Sequence, residues 1–290
     1  MSFIAFILIY PILFLISILP FRLLYIFSDF VYVLIYYIIG YRKKVVRANI
    51  AMALPHLSEK ERLIIEKKSY KHLCDMFLEM IKTMTISIKE IERRFVIKNL
   101  DEFLEIEKKN KSVALMCAHY ASYEWVVSMN GRVSFQGFAI YKKINNPYFD
   151  KLVKKIRSRF KAYLITTKET RGVIEQNERK GNHAIYGFAS DQSPQVKPQT
   201  YWSKFMGIEV PVYVGAEVLS KKYNMNVVFL KVKKVKRGFY EADIELISDD
   251  VNTVPDYQIT ETFLRKVEKQ IHEAPEFYLW THKRWKHRRL

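Results

Sequence analysis

The sequence predicts an α/β fold, a mixed and largely parallel sheet flanked by helices, carried behind N-terminal membrane-anchoring helices. Two observations carry this expectation. After residue 93, strand-like and helix-like runs alternate along the chain, the pattern of an α/β domain. Strand candidates such as Val113-Ala114-Leu115-Met116-Cys117 are apolar at every position, as required when helices cover both faces of a sheet. Composition agrees: of 290 residues, 49% are hydrophobic and 27% charged, which excludes a disordered chain and a multi-span transporter. Glycine and proline, nine of each, leave no low-complexity linker.

Residues 3–19 are apolar without a break, Pro20-Phe21-Arg22 interrupts, and 23–39 are apolar again except for Ser28 and Asp29. A bilayer span needs about 20 apolar residues, with a lower limit near 17. Either one span with an interfacial helix or a tight hairpin satisfies these lengths. A cleaved signal peptide would need a basic start and a small-residue cleavage site. Neither is present, so a retained anchor is expected over residues 1–40. Arg42, Lys43, Lys44 and Arg47 follow at once, and by the positive-inside rule they place the body in the cytoplasm, where they can also meet anionic headgroups. Residues 41–92 form a basic juxtamembrane and helical segment. Within it, Ser58-Glu59-Lys60-Glu61 after Pro55 is a capping box. It opens a helix reaching to near Ile86, with Leu63, Tyr70, Phe77, Met80 and Met84 as the expected core face.

Residues 93–290 are expected to be the α/β domain. Strands are predicted at 94–98, 112–118, 135–141, 183–189, 226–233 and 239–247. Helices are predicted at 100–109, 121–130, 146–159, 168–180, 212–222 and 256–273. Residues 232–247 read as a hairpin turning at Arg237-Gly238.

The formal net charge is +18, and since residues 1–40 hold only Arg22 and Asp29, the whole excess lies in 41–290. A body this basic expects a polyanionic partner: nucleic acid, an anionic membrane surface, or an acidic carrier or phosphorylated substrate. The two cysteines, Cys74 and Cys117, have neither metal-ligand spacing nor a disulfide framework, in keeping with a reducing compartment. No metal and no cofactor is expected.

The chemistry concentrates in Cys117-Ala118-His119-Tyr120-Ala121-Ser122-Tyr123-Glu124. An apolar strand ends, a histidine follows, and a carboxylate comes five residues later. In open α/β sheets, sites gather at the carboxyl ends of strands. Five residues turn a regular helix by about 500°, so His119 and Glu124 can meet only if the histidine lies in the loop and the glutamate in the first helical turns. A carboxylate on one ring nitrogen would leave the other to take a proton. Asp191 follows a second apolar run, Ala184–Ala189, and so stands near the same sheet edge, to hold an arginine or a substrate hydroxyl or simply to cap a loop. Arg157 and Arg159 are phosphate or oxyanion candidates. Two positions apart on a helix they point about 200° apart, so one of them should face the site, and Arg159 is favoured. Lys142 is a further phosphate candidate at a strand end. Cys117 as a nucleophile is disfavoured, because an all-apolar strand buries it.

A histidine with a carboxylate five residues later, after an apolar strand, is the H-x4-D/E signature of the glycerolipid acyltransferase superfamily. The chain resembles one branch of it, the lauroyl/myristoyl acyltransferases of lipid A biosynthesis. The resemblance runs through Tyr141-Lys142 with Asn146-Pro147, Arg157-Ser158-Arg159, Ala189-Ser190-Asp191-Gln192, and Ala274-Pro275-Glu276-Phe277-Tyr278-Leu279-Trp280-Thr281-His282-Lys283-Arg284-Trp285-Lys286. Two departures stand out: Gln192-Ser193 replaces a common His-Asp, and Ala121-Ser122-Tyr123 replaces a Gly-Asn-Trp found in some members. The resemblance implies that His119 is a general base oriented by Glu124. It would act on a hydroxyacyl chain of a phosphorylated glycolipid, with acyl carrier protein or acyl-CoA as donor, at the cytoplasmic face of a bacterial inner membrane. Two other readings remain: an acyltransferase for another lipid acceptor, or a non-catalytic basic protein tethered to membrane lipids. The tail Lys283–Arg289 mixes cations with Trp285, but no nucleic-acid motif accompanies it, so nucleic acid is not an expected partner.

Overall fold

A computed structural model describes residues 2–289. Met1 and Leu290, the outer ends of the expected anchor and body, lie outside the described residues. Seven strands form the main sheet: β1 (Phe95–Ile97), β2 (Val113–Cys117), β3 (Gln136–Tyr141), β4 (Tyr163–Thr166), β5 (Ala184–Ala189), β8 (Asn226–Lys236) and β9 (Phe239–Ser248). Their order is β1-β9-β8-β2-β5-β3-β4, and every pairing is parallel except β8 with β9. The fold is therefore the mixed, mostly parallel α/β architecture expected. A separate antiparallel hairpin pairs β6 (Trp202–Phe205) with β7 (Ile208–Pro211).

β2 is central, and all five of its residues are buried, which is why its sequence carries no polar alternation. Helices α6 (Leu100–Glu107), α7 (Pro147–Ser158), α8 (Thr170–Arg179), α9 (Gly215–Lys222) and α10 (Gln258–Glu273) flank the strands. α7 starts at a cap written in the sequence: Asn146 accepts from the N–H groups of Tyr148 and Phe149, and Pro147 takes the first turn, where its missing N–H costs nothing. The β8–β9 hairpin turns at Arg237-Gly238 as read. Gly238 has φ +75°, and a Cβ there would stand 1.9 Å from the Tyr25 hydroxyl, so both turn geometry and close packing require glycine.

Ahead of the sheet lie α1 (Ser2–Ile18), α2 (Phe21–Val33), a π-helical continuation to Ile39, α3 (Lys43–Ala53), α4 (Glu59–Lys82) and α5 (Ile88–Arg94). The capping box at Ser58 and Glu61 forms. The helix it opens differs from expectation: it ends at Lys82, and Leu63 and Phe77 are exposed, at 38% and 50%. Its buried face instead includes Glu66, Ser69, His72, Asp75, Glu79 and Lys82 beside Tyr70, Leu73 and Met76. The cause is α2 and its π-helical continuation, which pack there with polar groups of their own. Tyr25 donates to Glu79 (2.8 Å), Ser28 to Asp75 (2.7 Å) and Tyr36 to Glu66 (2.8 Å). Each buried carboxylate on α4 thus finds a donor, as burial of a charge demands.

The opposite face of α2 and most of α1 present Ile4, Leu8, Leu15, Leu23, Ile26, Phe30 and Ile38 to the outside. Phe21–Ile39 is long and apolar enough to cross a membrane, while the apolar helix before it, at Phe3–Ile18, is shorter.

Candidate active site

Neighbouring strand ends make the site. Cys117 on β2 pairs with Ala189 on β5, so His119 and Asp191 each stand two residues past a matched pair at the carboxyl edge of the sheet. Asp191 Oδ1 accepts from His119 Nδ1–H at 2.7 Å and from the His119 backbone N–H at 3.1 Å. Asp191 is 1% exposed, whereas the His119 side chain keeps 20% of its surface open. The imidazole therefore has one nitrogen fixed by a buried carboxylate and Nε2 left over, the arrangement of a general base.

Burial opposes a charge on His119, but the charge and hydrogen bond of Asp191, with Glu124 behind, outweigh it and hold the imidazole above its ordinary pKa. Burial likewise works against ionised Asp191, and His119 overcomes it, so the carboxyl titrates below its usual range. The Tyr123 ring packs edge-on against His119 with centroids 5.0 Å apart.

The expected His119–Glu124 bond is not formed. Glu124, 9% exposed in a 3-10 helix over Tyr123–Gly131, is held in a fork by Arg157, with Nε to Oε2 at 2.9 Å and Nη2 to Oε1 at 2.6 Å. The bidentate geometry of a guanidinium explains why Arg157 captures it. The choice between the two arginines is also reversed. Asp150, Leu152 and Ile156 are the buried side of α7, and this phase brings Arg157 to Glu124. Arg159 lies past the helix end, exposed, donating Nη1–H to the Thr83 carbonyl at 2.5 Å. Lys142 is exposed just beyond β3. Cys117 is buried, and burial followed by Asp191 pushes its thiol up to about 12, so it holds no thiolate near neutral pH.

Sequence reasoning assigned the C-terminal block no structural task, yet it clamps the loop that carries His119. Leu279 N–H donates to the His119 carbonyl (3.1 Å), and Ala121 N–H donates to the Phe277 carbonyl (2.9 Å). Asn49 of α3 holds this block in turn, donating to the Trp280 and His282 carbonyls at 2.8 and 2.7 Å. His282 Nε2 accepts from the Ser193 N–H (3.3 Å), and burial lowers its pKa to about 4, which keeps it neutral. Arg284 is fully buried and donates to the Pro211 carbonyl (3.0 Å). The block's unusual density of Trp, Tyr, His and Arg was the available signal.

His72 of α4 is buried against the clamp, and its Nε2–H donates to the Ala121 carbonyl at 3.3 Å. Ala121 adopts φ +49°, a left-handed conformation that costs a non-glycine residue about 1–2 kcal/mol. Two hydrogen bonds, from His72 and to Phe277, hold it there. A narrow apolar slot of about 20 Å³ runs beside the site, lined by Leu73, Met76, His119, Tyr123, Phe277 and Trp280 among others.

An α/β sheet with an imidazole–carboxylate pair at adjacent strand ends, beside exposed apolar helices, is a layout suited to acyl transfer on a lipid. The comparisons narrow the class. The family model for bacterial lipid A biosynthesis acyltransferases matches residues 2–287. The lipid A biosynthesis palmitoleoyltransferase of Escherichia coli K12 is 25% identical over 252 residues, spanning 85% of this chain and 79% of that protein. The lipid A biosynthesis lauroyltransferase of the same organism is 23% identical over 249 residues, spanning 85% and 80%. A lipid A biosynthesis acyltransferase of Haemophilus influenzae is 22% identical, spanning 85% and 78%. The chain belongs to the bacterial lipid A biosynthesis acyltransferase family and is an acyltransferase.

Proposed function

We propose that this acyltransferase moves a fatty-acyl group from an acyl thioester, carried by acyl carrier protein, onto the hydroxyl of a hydroxyacyl chain in a phosphorylated lipid A precursor. The observation that carries the reading is His119, with Nδ1 fixed by buried Asp191 and Nε2 left to work. In this mechanism Nε2 takes the proton of the acceptor hydroxyl as its oxygen attacks the thioester carbonyl. The tetrahedral intermediate collapses, the C–S bond breaks, and the leaving sulfur takes the proton back from Nε2. Asp191 orients the ring and stabilises the transient imidazolium. Glu124 adds a second negative charge behind it and fixes Arg157, whose remaining N–H groups are candidates to meet the oxyanion or a phosphate.

The reading places the protein at the cytoplasmic face of a bacterial inner membrane. Residues 1–40 serve as anchor, 41–92 as the juxtamembrane segment and 93–290 as the catalytic domain. The apolar outer faces of α1 and α2 and the cluster Arg42, Lys43, Lys44 and Arg47 support it. Two anionic substrates, an acidic carrier and a phosphorylated lipid, account for a body that holds the whole +18 excess.

The test is transfer in detergent from acyl carrier protein thioester to a lipid A precursor, comparing wild type with His119→Ala. The expected loss is about 10²- to 10⁴-fold in kcat, the usual worth of a positioned base. Near-normal turnover by the folded variant contradicts the mechanism.

A further inference from the structure

A second cavity, of about 290 Å³, opens on the other side of His72 and Phe277, the two residues it shares with the slot beside His119. Its wall carries Lys68, Lys71, Lys234, Lys236 and Arg237 against two carboxylates, Asp75 and Glu276. Both carboxylates are already engaged. Arg237 holds Asp75 at 2.7 Å with Lys234 at 3.5 Å, and Lys68 lies 3.6 Å from Glu276. Lys71 and Lys236 pair with no carboxylate within 4 Å among the described residues, and their ammonium groups instead lie over the rings of Tyr32 and Phe239. A concave surface with this surplus of positive charge is built for an anion.

We propose that this basin binds a phosphate of the acceptor glycolipid, with Lys71 and Lys236 as its principal partners. The inference rests on the proposed function and adds the place where the acceptor is gripped. Three observations favour a lipid headgroup over a soluble anion. The basin meets the narrow slot beside His119 at His72 and Phe277, so a headgroup held in the basin would stand close to the site. Its wall is fastened to α2, through Arg237 to Asp29 (2.8 Å) and Lys71 over Tyr32, and the outer face of α2 is exposed and apolar. It also touches the catalytic loop: Lys234 Nζ–H donates to His72 Nδ1 (3.4 Å), and His72 donates to Ala121. Burial, with Lys234 beside it, keeps His72 neutral, so its two nitrogens retain these opposite roles. An anion at the basin therefore sits one relay from the backbone that carries His119.

The test measures KM and kcat of Lys71→Gln/Lys236→Gln, both surface positions, with a phosphorylated lipid A precursor and with the same glycolipid after phosphatase treatment. The expected result is a KM raised about tenfold or more for the phosphorylated acceptor, the scale of one lost charge-assisted hydrogen bond. No change is expected for the dephosphorylated acceptor, and Lys71→Arg/Lys236→Arg should recover the wild-type KM. Equal loss on both acceptors would make the basin a docking patch for the acidic donor and overturn the proposal. So would an unchanged acceptor KM accompanied only by weaker binding to phosphatidylglycerol vesicles. His119→Ala in the same assay separates the two levels: if it is inactive while the lysine pair leaves KM untouched, the basin fails and the acyltransferase mechanism stands.

Discussion

What a buried carboxylate touches decides what its partner is worth, and Glu124 shows this at the scale of single residues. Its charge is matched by Arg157, whose side chain is 20% exposed against 8% for Glu124. Arg157→Ala would leave that charge unpaired, at a cost of about 3 kcal/mol, the lower end of the range for broken buried pairs because Arg157 is partly wet. Arg159→Ala removes one hydrogen bond at the surface and should cost about 1 kcal/mol or less. Thermal melts of the two purified variants check the contrast; equal shifts would contradict the assignment of Arg157 to the site. The sequence showed that only one of these arginines could face inward. It did not show which, because the phase of α7 is set by Asp150, Leu152 and Ile156 packing on the sheet, a tertiary fact. His119 and Asp191 were better marked, since each follows an apolar run. Their pairing depended on the strand order, which places β5 next to β2 although β3 and β4 intervene in the chain.

At the scale of elements, α4 carries the most unusual chemistry. Burial pushes the Glu79 carboxyl up to about 7, although Lys234 and the hydroxyls of Tyr240 and Tyr25 ease the cost. Its folded pKa thus lies above the ordinary value of 4.5, so between these limits the folded protein holds a proton that the unfolded chain releases. That stability is complete below about 4.5 and is lost as pH rises through about 7. His72 acts in the opposite sense. It stays neutral in the fold, so its contribution is lost as pH falls below its ordinary value of 6.5. Glu79→Gln isolates the first effect. The wild type should lose stability relative to the variant, on the order of 3 kcal/mol, as pH is raised from 4.5 to 7, with a constant difference above that. Denaturant midpoints across this range provide the measurement, and a pH-independent difference would contradict a buried, proton-holding Glu79. The same helix shows why periodicity misled. Leu63 and Phe77 recur at helical spacing but face outward, because the apolar N-terminal helices occupy the side where polar α4 residues receive donors. The short strands β4, β6 and β7 gave too little pattern to be read. The β6–β7 turn uses Met206-Gly207, both at positive φ, and methionine is no turn signal.

At the scale of the whole molecule, one hydrophobic core extends from Tyr32 of α2, through the sheet, to Trp285 of the C-terminal block. The first helices are therefore part of the body's packing as well as its apolar outer surface. Removing residues 1–39 would strip Tyr25, Ser28 and Tyr36 from Glu79, Asp75 and Glu66 and leave those carboxylates short of donors. Such a truncation should melt well below the full chain in the same detergent; an unchanged melting temperature would show that α1 and α2 are only a tether. The C-terminal block was legible as a family signature, while its work as a clamp on His119 and Ala121 needed the three-dimensional pairing of segments far apart in the chain.

The account turns on Asp191 holding the imidazole that takes the proton, and the pH dependence of kcat/KM for wild type and Asp191→Asn tests that most directly. Activity requires neutral His119, whose pKa Asp191 raises, so the wild-type rate should climb with pH through a value above 6.5. With the charge removed, burial and Arg157 oppose only the pull of Glu124, and the rising limb should move to lower pH with a loss of about 10²-fold or more in kcat. An unshifted limb with an undiminished plateau would show that His119 works without Asp191, or that another group is the base.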